Sequence, residues 1–290
     1  MPVFASLTYL VLIIPFVTSL SFNFDSFNTN DQNITYEADA YPANRVIQLT
    51  KNQLNSSLNY SIGRATYSKT LYLWDNASGN ITDFFTHFSF GIDSLGKNLY
   101  ADGLAFFLAP AGSRIPDNKS AAGGGLGLAI DSRQNTSRNH PVVAVEFDTF
   151  KNYYDPPGDH VGVNINSMVS VVNVTWFSSI PNNKTTDAWI TYNSTSKNLS
   201  VVFIGYHQQG NTTVPFLQTL SYNIDLRDYL PEWVTFGFSG PKKLLYGELA
   251  RCTNNFSPEK MLGQGGFGGV YKGYVRESDS YIAVKRISRE

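Results

Sequence analysis

Near its midpoint the chain reads Val142-Val143-Ala144-Val145-Glu146-Phe147-Asp148-Thr149-Phe150-Lys151-Asn152. Successive side chains of a β-strand point to opposite faces, so this run predicts a strand with one apolar face, formed by Val143, Val145 and Phe147. The opposite face would carry the positions Glu146, Asp148, Phe150 and Asn152. Two carboxylates of the same charge would then lie about 7 Å apart on one face of a sheet.

The loop after this stretch supplies two more groups that can bind a metal, Asp155 and His160. Like charges on one sheet face repel unless water, a partner or a cation neutralises them. The combined oxygen, amide and imidazole donors suit a hard Ca²⁺ ion beside a transition ion such as Mn²⁺ better than a structural zinc ion. For any two of these residues alone, a solvated sheet face followed by an acidic turn is the alternative.

A catalytic interpretation of the same carboxylates is also open. The pattern Glu-x-Asp on a strand resembles the acid pair of jelly-roll glycosidases, which continues as Glu-x-Asp-x-x-Glu. Lys151 stands where the second glutamate of that pattern would be. Hydrolysis would need a second acid opposite the first, so a glycosidase is the least favoured function class.

The rest of the chain indicates the fold class. Its 290 residues predict about two domains. Short apolar or alternating runs, separated by Gly, Pro, Asn and Asp clusters, predict strands at Thr82–Ile92, Gly103–Leu108, Val142–Phe150, Val161–Asn166, Val171–Phe177, Ala188–Tyr192, Leu199–Ile204 and Trp233–Phe238. A hairpin loop is expected at Tyr192–Asn198 and at most one helical turn at Asp225–Leu230. The pattern predicts an all-β sandwich of antiparallel sheets.

The composition excludes one class of partner. The chain has 22 Lys and Arg residues against 23 Asp and Glu residues, a net charge of -1. Binding to a phosphate backbone requires a basic surface, so no nucleic acid partner is expected. The aromatic fraction of 14% is typical of a packed β protein.

The amino terminus indicates secretion. An apolar run from Leu7 to Phe16 precedes the small residues Val17-Thr18-Ser19, which predicts a signal peptide over residues 1–20. A buried amino-terminal strand is the alternative. Asn-x-Ser/Thr sequons occur at Asn33, Asn55, Asn59, Asn76, Asn80, Asn118, Asn135, Asn173, Asn183, Asn193, Asn198 and Asn211. Their density favours the secretory pathway and a glycoprotein.

Stability must come from packing, because the single cysteine, Cys252, cannot form an intramolecular disulfide. Apart from the leader, no stretch approaches the roughly 18 apolar residues that a membrane helix requires. We therefore expect no membrane helix in this chain.

Beyond the central stretch, the sequence resembles the legume lectins. The pattern Val-Ala-Val-Glu-Phe-Asp-Thr-Phe-x-Asn, followed by Asp-Pro and by His-Val-Gly-Val-Asn-x-Asn-Ser, is similar to their metal-binding segment. Further similar segments are Ser21–Phe24 (their first strand), Ala101–Phe107 (their sugar-contacting strand), Gly123–Gly127 (their glycine loop) and Pro231–Ser239 (their late strand). The resemblance covers roughly residues 21 to 240 and implies a jelly-roll carbohydrate-binding domain.

The resemblance implies two metal sites. The expected Mn²⁺ ligands are Glu146, Asp148, Asp155 and His160, with Ser170 in the outer shell through water. The expected Ca²⁺ ligands are Asp148, Asn152, Asp155 and the carbonyl of Phe150. A cis peptide between Ala101 and Asp102 is also implied, and the metals would organise the sugar site without taking part in catalysis.

The resemblance also implies the sugar contacts. Asp102 would accept hydrogen bonds from two neighbouring sugar hydroxyls, Asn152 would donate to one of them, and Phe150 would offer an apolar face. A backbone N–H of either Gly124 or Gly125 would add a donor. Taken alone, Asp102-Gly103 could be an ordinary turn and the glycines a flexible loop. The expected partners are glycans or glycoproteins, and the resemblance implies that a lectin sheet can form a homodimer.

A second, smaller unit is expected over residues 241–290. Helix formers occupy Tyr246–Thr253, and strands are expected at Leu262–Val270 and Tyr281–Ile287. The run from Leu262 to Gly273 contains Gly263, Gly265 and Gly268 in the spacing Gly-x-Gly-x-x-Gly. This run and the following Ile282-Ala283-Val284-Lys285 resemble the start of a protein kinase. The resemblance implies that ATP would contact Gly263, Gly265, Gly268, Val270 and Lys285, with Mg²⁺ as cofactor only in an intact kinase.

The two parts together resemble an L-type lectin receptor-like kinase of plants. The segment after Gly240 departs from that family, which has there a further sugar-site loop, a last lectin strand, a membrane helix and a juxtamembrane segment. The chain ends five residues after Lys285, before the catalytic loop of a kinase. We therefore expect no enzymatic activity from this chain and a gap or edge in one lectin sheet.

Three function classes follow, in order of preference. The first is a metal-dependent carbohydrate-binding lectin domain with a truncated kinase part. The second is a membrane receptor serine/threonine kinase of which this chain is a remnant, and the third is the glycosidase. Family members of this kind lie at the plasma membrane, whereas the chain as written would be extracellular.

Overall fold

The computed structural model describes residues 20–51, 61–94, 100–116, 124–128, 141–210, 212–242, 250, 252–265, 268–275 and 280–286. The predicted leader, the sequons at Asn55, Asn59, Asn118, Asn135 and Asn211, and most of the predicted helix over 246–253 lie outside these residues.

Within these ranges nearly all of the regular secondary structure is β-strand. The strands are β1 (Ile34–Ala38), β2 (Tyr41–Ala43), β3 (Val46–Gln48), β4 (Ser61–Tyr67), β5 (Leu71–Tyr72), β6 (Phe84–Gly91), β7 (Gly103–Pro110), β8 (Val143–Asp148), β9 (His160–Ile165), β10 (Val172–Thr175), β11 (Thr185–Asn193), β12 (Asn198–Gln209), β13 (Thr212–Asn223), β14 (Trp233–Lys242), β15 (Met261–Gly265), β16 (Gly268–Val275) and β17 (Ser280–Arg286). Short 3₁₀ turns cover Ile180–Asn182, Leu226–Asp228 and Pro258–Lys260.

Two antiparallel sheets form the large domain. The larger sheet has the order β1-β4-β14-β7-β8-β9-β10, with β5 beside β14, and the smaller sheet has the order β13-β12-β11-β6. One apolar core contains alternate residues of both sheets, among them Val143, Val145 and Phe147 of β8 with Ile190 and Phe203 of the smaller sheet. The predicted apolar face of the central strand is therefore confirmed, and so is the all-β sandwich.

A second, smaller core lies on the other face of the larger sheet. It joins Phe107 of β7 and Ala144 of β8 to Leu126 and Leu128 of the glycine loop. Because this face of β8 also carries Glu146 and Asp148, the loop is packed beside the polar cluster. The fold thus brings the glycine loop close to the predicted site.

One expected strand is wrong. Residues 21–24, predicted as the first strand, are not in a sheet. The ring of Phe22 instead stacks on Tyr67 at a centroid distance of 4.1 Å and on Phe236 at 5.9 Å. Aromatic packing, not strand pairing, holds this segment against the larger sheet. The predicted β11–β12 hairpin and the single turn near Leu226 are both present.

The carboxyl-terminal residues form their own small sheet in the order β15-β16-β17. Phe256, Tyr271 and Val284 make its buried cluster. The preceding strand β14 runs through position 240 and continues to Lys242, pairing Pro241 with Ile62 of β4. Within the described ranges, no helix has the length and hydrophobicity needed to cross a membrane.

Candidate functional site

Strands β8 and β9 bring the predicted metal ligands together. Their antiparallel register pairs Asp148 with His160 and Glu146 with Gly162. A side chain at Gly162 would not fit, because its Cβ would lie 2.1 Å from Ser170 Oγ and 2.8 Å from Glu146 Oε1. The glycine therefore leaves the space that the polar side chains occupy.

The candidate ligand atoms lie close together, and all of their residues except the half-buried Asp155 are buried. One atom each of Asp148, Asp155 and His160 lie within 4.8 Å of one another. Glu146 Oε1 lies 3.4 Å from His160 Nε2. Glu146, Asp148 and His160 are respectively 1%, 2% and 1% exposed. The structure thus brings together the four residues expected to hold the transition ion.

The electrostatics of this cluster favour a bound cation. Burial, followed by the charges of Glu146 and Asp155, raises the pKa of Asp148 to about 8. For His160, burial lowers the pKa, but the carboxylates of Glu146 and Asp148 outweigh burial and the net pKa is raised. Within the described residues, buried His160 Nε2 makes no hydrogen bond of good geometry. Crowded carboxylates beside such a nitrogen are a donor set that fits a divalent cation.

Two further residues support Glu146. Asn164 Nδ2 donates to Glu146 Oε2 at 3.0 Å, and Ser170 Oγ donates a short hydrogen bond to Glu146 Oε1. Asn164 is 1% exposed and lies on the same face of β9 as His160. We did not predict this role for Asn164 from the sequence, although the alternation of β9 places residues 160, 162 and 164 on one face.

The expectation that four residues share one strand face is wrong in part. Strand β8 ends at Asp148, so Phe150 and Asn152 belong to the following loop. That loop is tied to the cluster, because Phe150 N donates to Asp148 Oδ1 at 2.7 Å and Asn152 N donates to Asp155 Oδ2 at 2.7 Å. Both residues therefore remain beside the ligands through hydrogen bonds of the turn.

The predicted sugar-contacting residues adjoin this cluster. The peptide between Ala101 and Asp102 is cis, as expected. Thr149 N donates to Asp102 O at 2.9 Å, and Gly103 pairs with Asp148 in the sheet. These backbone contacts hold the Asp102 turn against the end of β8. Asp102 is buried, with an exposure of 1%.

The glycine loop approaches the same place. A Cβ at Gly124 would lie 2.8 Å from both Nδ2 and Oδ1 of Asn152, so its backbone lies directly against that amide. Tyr154 Oη donates to Gly124 O at 3.4 Å. The carbonyl of Gly125 instead accepts from Leu128 N within the loop, at 2.8 Å. Gly124 is therefore in contact with Asn152.

The kinase-like residues lie on the carboxyl-terminal sheet. Gly263 and Gly265 on β15 pair with Val270 and Gly268 on β16, and Val270 pairs with Lys285 on β17. A Cβ at Gly263 or at Gly265 would meet no atom within 4 Å. The structure thus brings the five predicted residues onto one small sheet. At positions 263 and 265, packing against the described residues does not require glycine.

The sandwich, the acidic cluster at the end of β8 and the adjoining glycine loop define a lectin-like domain. The family described as Legume lectin domain matches residues 19–250, and the chain belongs to this family. The lectin I of Ulex europaeus, solved with the methyl glycoside of α-L-fucose, has a TM-score of 0.65 and 30% identity. The match covers 78% of this chain and 91% of that one.

A second lectin structure and a receptor kinase are also similar to this chain. Lectin UEA-II complexed with galactose has a TM-score of 0.66 and 36% identity, covering 78% of this chain and 91% of that one. The L-type lectin-domain containing receptor kinase IX.2 of Arabidopsis thaliana is 33% identical over 96% of this chain and 53% of its own length. The chain therefore spans about half the length of this relative. The alignment with this relative has 367 positions, more than the 290 residues of this chain. Within the aligned region the relative therefore has residues that are aligned with gaps in this chain.

Proposed function

We propose that residues 21–240 form a metal-dependent carbohydrate-binding domain, joined to a kinase-like segment over 241–290. The observation that carries the proposal is the convergence of Asp102, Gly124 and Asn152 on the buried cluster around Asp148. Asp102 and Asp148 are linked by sheet pairing through Gly103, and Gly124 lies against Asn152. A metal-filled cluster would hold the turn, the loop and the amide in one arrangement.

Ca²⁺ and Mn²⁺ are the proposed ions. Glu146, Asp148, Asp155 and His160 would hold Mn²⁺, since they combine carboxylates with an imidazole. Asp148, Asp155, Asn152 and the carbonyl of Phe150 would hold Ca²⁺, since they offer oxygen ligands only. The cations would supply positive charge that stabilises the ionised, buried carboxylates.

For the sugar, we propose contacts from three sides. The carboxylate of Asp102 accepts from two hydroxyls, the amide of Asn152 donates to one of them, and Phe150 packs against sugar C–H groups. Of the two glycines considered, Gly124 is favoured as the backbone donor because it contacts Asn152.

Neutral hexoses on glycans or glycoproteins are the proposed ligand class. One similar structure contains galactose and another contains a fucoside. The net charge of -1 gives the chain no overall attraction for an acidic ligand. The proposed location is the cell surface or the extracellular space, supported by the receptor kinase relatives and by the exposed sequons at Asn33, Asn76, Asn80, Asn173, Asn183 and Asn193.

The test is metal-dependent retention on sugar resins. The purified chain is applied to galactose, fucose and mannose resins with Ca²⁺ and Mn²⁺, then washed with EDTA. We expect retention on at least one resin, release by EDTA and full recovery after the metals are restored. Retention that EDTA leaves unchanged would contradict metal dependence, and absence of retention on every resin and on a glycan array would contradict sugar binding. Release of reducing sugar would favour the glycosidase instead.

A receptor kinase is the second candidate, favoured by the match to receptor kinase IX.2 over 96% of this chain. We propose that the 290-residue polypeptide itself transfers no phosphate. It includes the glycine-rich hairpin and Lys285, whereas phosphoryl transfer also needs a base aspartate and Mg²⁺ ligands from later segments of a kinase. Incubation with labelled ATP, Mg²⁺ and casein is expected to give no incorporation. Incorporation that disappears in Lys285→Met would overturn this proposal.

A further inference from the structure

We infer that a hydrogen bond between Tyr100 and Asp159, called the tie below, positions the turn around Asp102 relative to the loop that leads into β9. Tyr100 precedes the cis peptide to Asp102 by one residue, and Asp159 directly precedes His160. Both would act as positioning residues, since neither is assigned to the metals or to the sugar. This inference rests on the proposed function and adds the means by which metal loading reaches the sugar site.

The tie is a hydrogen bond between segments far apart in sequence. Tyr100 Oη donates to Asp159 Oδ2 at 2.9 Å across 59 positions. The ring of Tyr100 also packs against the main apolar core. Burial, followed by the charge of Asp159, raises the pKa of Tyr100 to about 12, so its hydroxyl stays a donor at neutral pH. A charged acceptor makes this hydrogen bond stronger than one between neutral groups.

Asp159 is itself held in place from a third segment. Ser178 Oγ donates to the same oxygen, Asp159 Oδ2, and Trp176 N donates to Asp159 O at 2.8 Å. Because the backbone hydrogen bond from Trp176 comes from the chain after β10, Asp159 is held in position without Tyr100 and without the Ser178 hydroxyl. Because the acceptor is fixed, the hydrogen bond from Tyr100 holds Tyr100 at a set distance from the loop that leads into β9.

The tie complements the contacts on the other side of Asp102. There, Thr149 N donates to Asp102 O and Gly103 pairs with Asp148. Those backbone contacts restrain the turn where it enters β7. The Tyr100 hydroxyl restrains it one residue before the cis peptide. With both restraints, the turn follows the ends of β8 and β9, which are the strands that carry the proposed metal ligands.

The structure offers a matched control. Ser178→Ala removes a donor from the same carboxylate but leaves the bond to Tyr100 in place. If Asp159 only stabilises the fold, loss of either donor is expected to change sugar affinity to the same extent. If Asp159 positions the turn through Tyr100, only the loss of the Tyr100 donor is expected to weaken sugar affinity.

The experiment compares Tyr100→Phe, Asp159→Ala, their double variant and Ser178→Ala in the full chain saturated with Ca²⁺ and Mn²⁺. Affinity for the sugar retained by the resin test and the melting temperature are both measured. We expect Tyr100→Phe and Asp159→Ala each to weaken sugar affinity about 5- to 10-fold, and the double variant to be no weaker than Asp159→Ala. The sugar affinity of Ser178→Ala should stay within about 2-fold of the parent, even if this variant lowers the melting temperature as much as Tyr100→Phe does. Equal weakening by Ser178→Ala, or additive effects in the double variant, would overturn the tie.

Amide hydrogen exchange gives a readout that does not require a sugar ligand. In the parent chain, Ca²⁺ is expected to slow exchange over residues 100–104, and in Tyr100→Phe this slowing is expected to be largely lost. Equal slowing in both proteins, or none in the parent, would contradict the tie. Absence of sugar binding together with a Ca²⁺ effect that depends on Tyr100 would contradict only the proposed function.

Discussion

The Asp148→Ala variant is expected to bind neither Ca²⁺ nor Mn²⁺ and to pass through the sugar resin unretained. Asp148 belongs to both proposed ligand sets, and its carboxylate lies with Asp155 and His160 in a cluster no wider than 4.8 Å. Loss of an outer-shell partner costs about 10- to 100-fold in metal affinity, and loss of a shared direct ligand costs more. Calorimetric titration with each metal and elemental analysis after dialysis measure the effect.

Loss of the fold would not explain this result. Burial and the charge of Glu146 raise the pKa of Asp148 to about 8, so a charged Asp148 is unfavourable in the metal-free protein and alanine removes that unfavourable charge. The metal-free variant should therefore melt close to the metal-free parent. Asp187→Ala, on β11 of the smaller sheet, is the control, and it should bind both metals like the parent. Unchanged Ca²⁺ affinity in Asp148→Ala would remove the two-metal proposal.

The sandwich was predictable because its central strands alternate. In β8 the apolar residues pack into the core and the carboxylates face the other way, as the sequence pattern indicates. Strand β4 was missed because its polar residues are buried. Arg64, for example, is 2% exposed and donates to Gly127 O at 2.8 Å, with its guanidinium 4.5 Å from the Phe107 ring. A sequence pattern assigns such an arginine to the surface.

Strand β13 was missed for a different reason. It contains Pro215, which cannot donate to a sheet and therefore argues against a strand. In the structure β13 lies at the edge of its sheet, where a proline is tolerated, and Pro215 is paired with Tyr206. Pro215 is compatible with an edge strand or with no strand, and only the tertiary arrangement decides between them.

The candidate site was predictable in its residues but less so in its supports. The alternation of β8 and the resemblance supply Glu146 and Asp148, whereas Asn164 reaches Glu146 only through the register of β8 with β9. The bond from Tyr100 to Asp159 joins positions 59 residues apart, so no local spacing could indicate it. The burial of Asp102 likewise depends on segments that pack around it.

The Asp102→Asn variant is expected to lose sugar binding while keeping its metals and its fold. The amide has nearly the shape of the carboxylate but cannot accept hydrogen bonds from two hydroxyls with a full negative charge. The backbone contact from Thr149 N to Asp102 O at 2.9 Å does not depend on the side chain. The expected loss is at least about 100-fold in affinity, corresponding to about 2.7 kcal/mol or more. A glycan array and calorimetry with the retained sugar measure it.

The parent chain must be measured first, because only a sugar that the parent retains can be lost by the variant. Ca²⁺ titration and the melting temperature of Asp102→Asn are expected to match the parent, since Asp102 is assigned to neither metal. If the variant keeps its metals and still gives the parent's glycan-array signal, the sugar does not bind against Asp102.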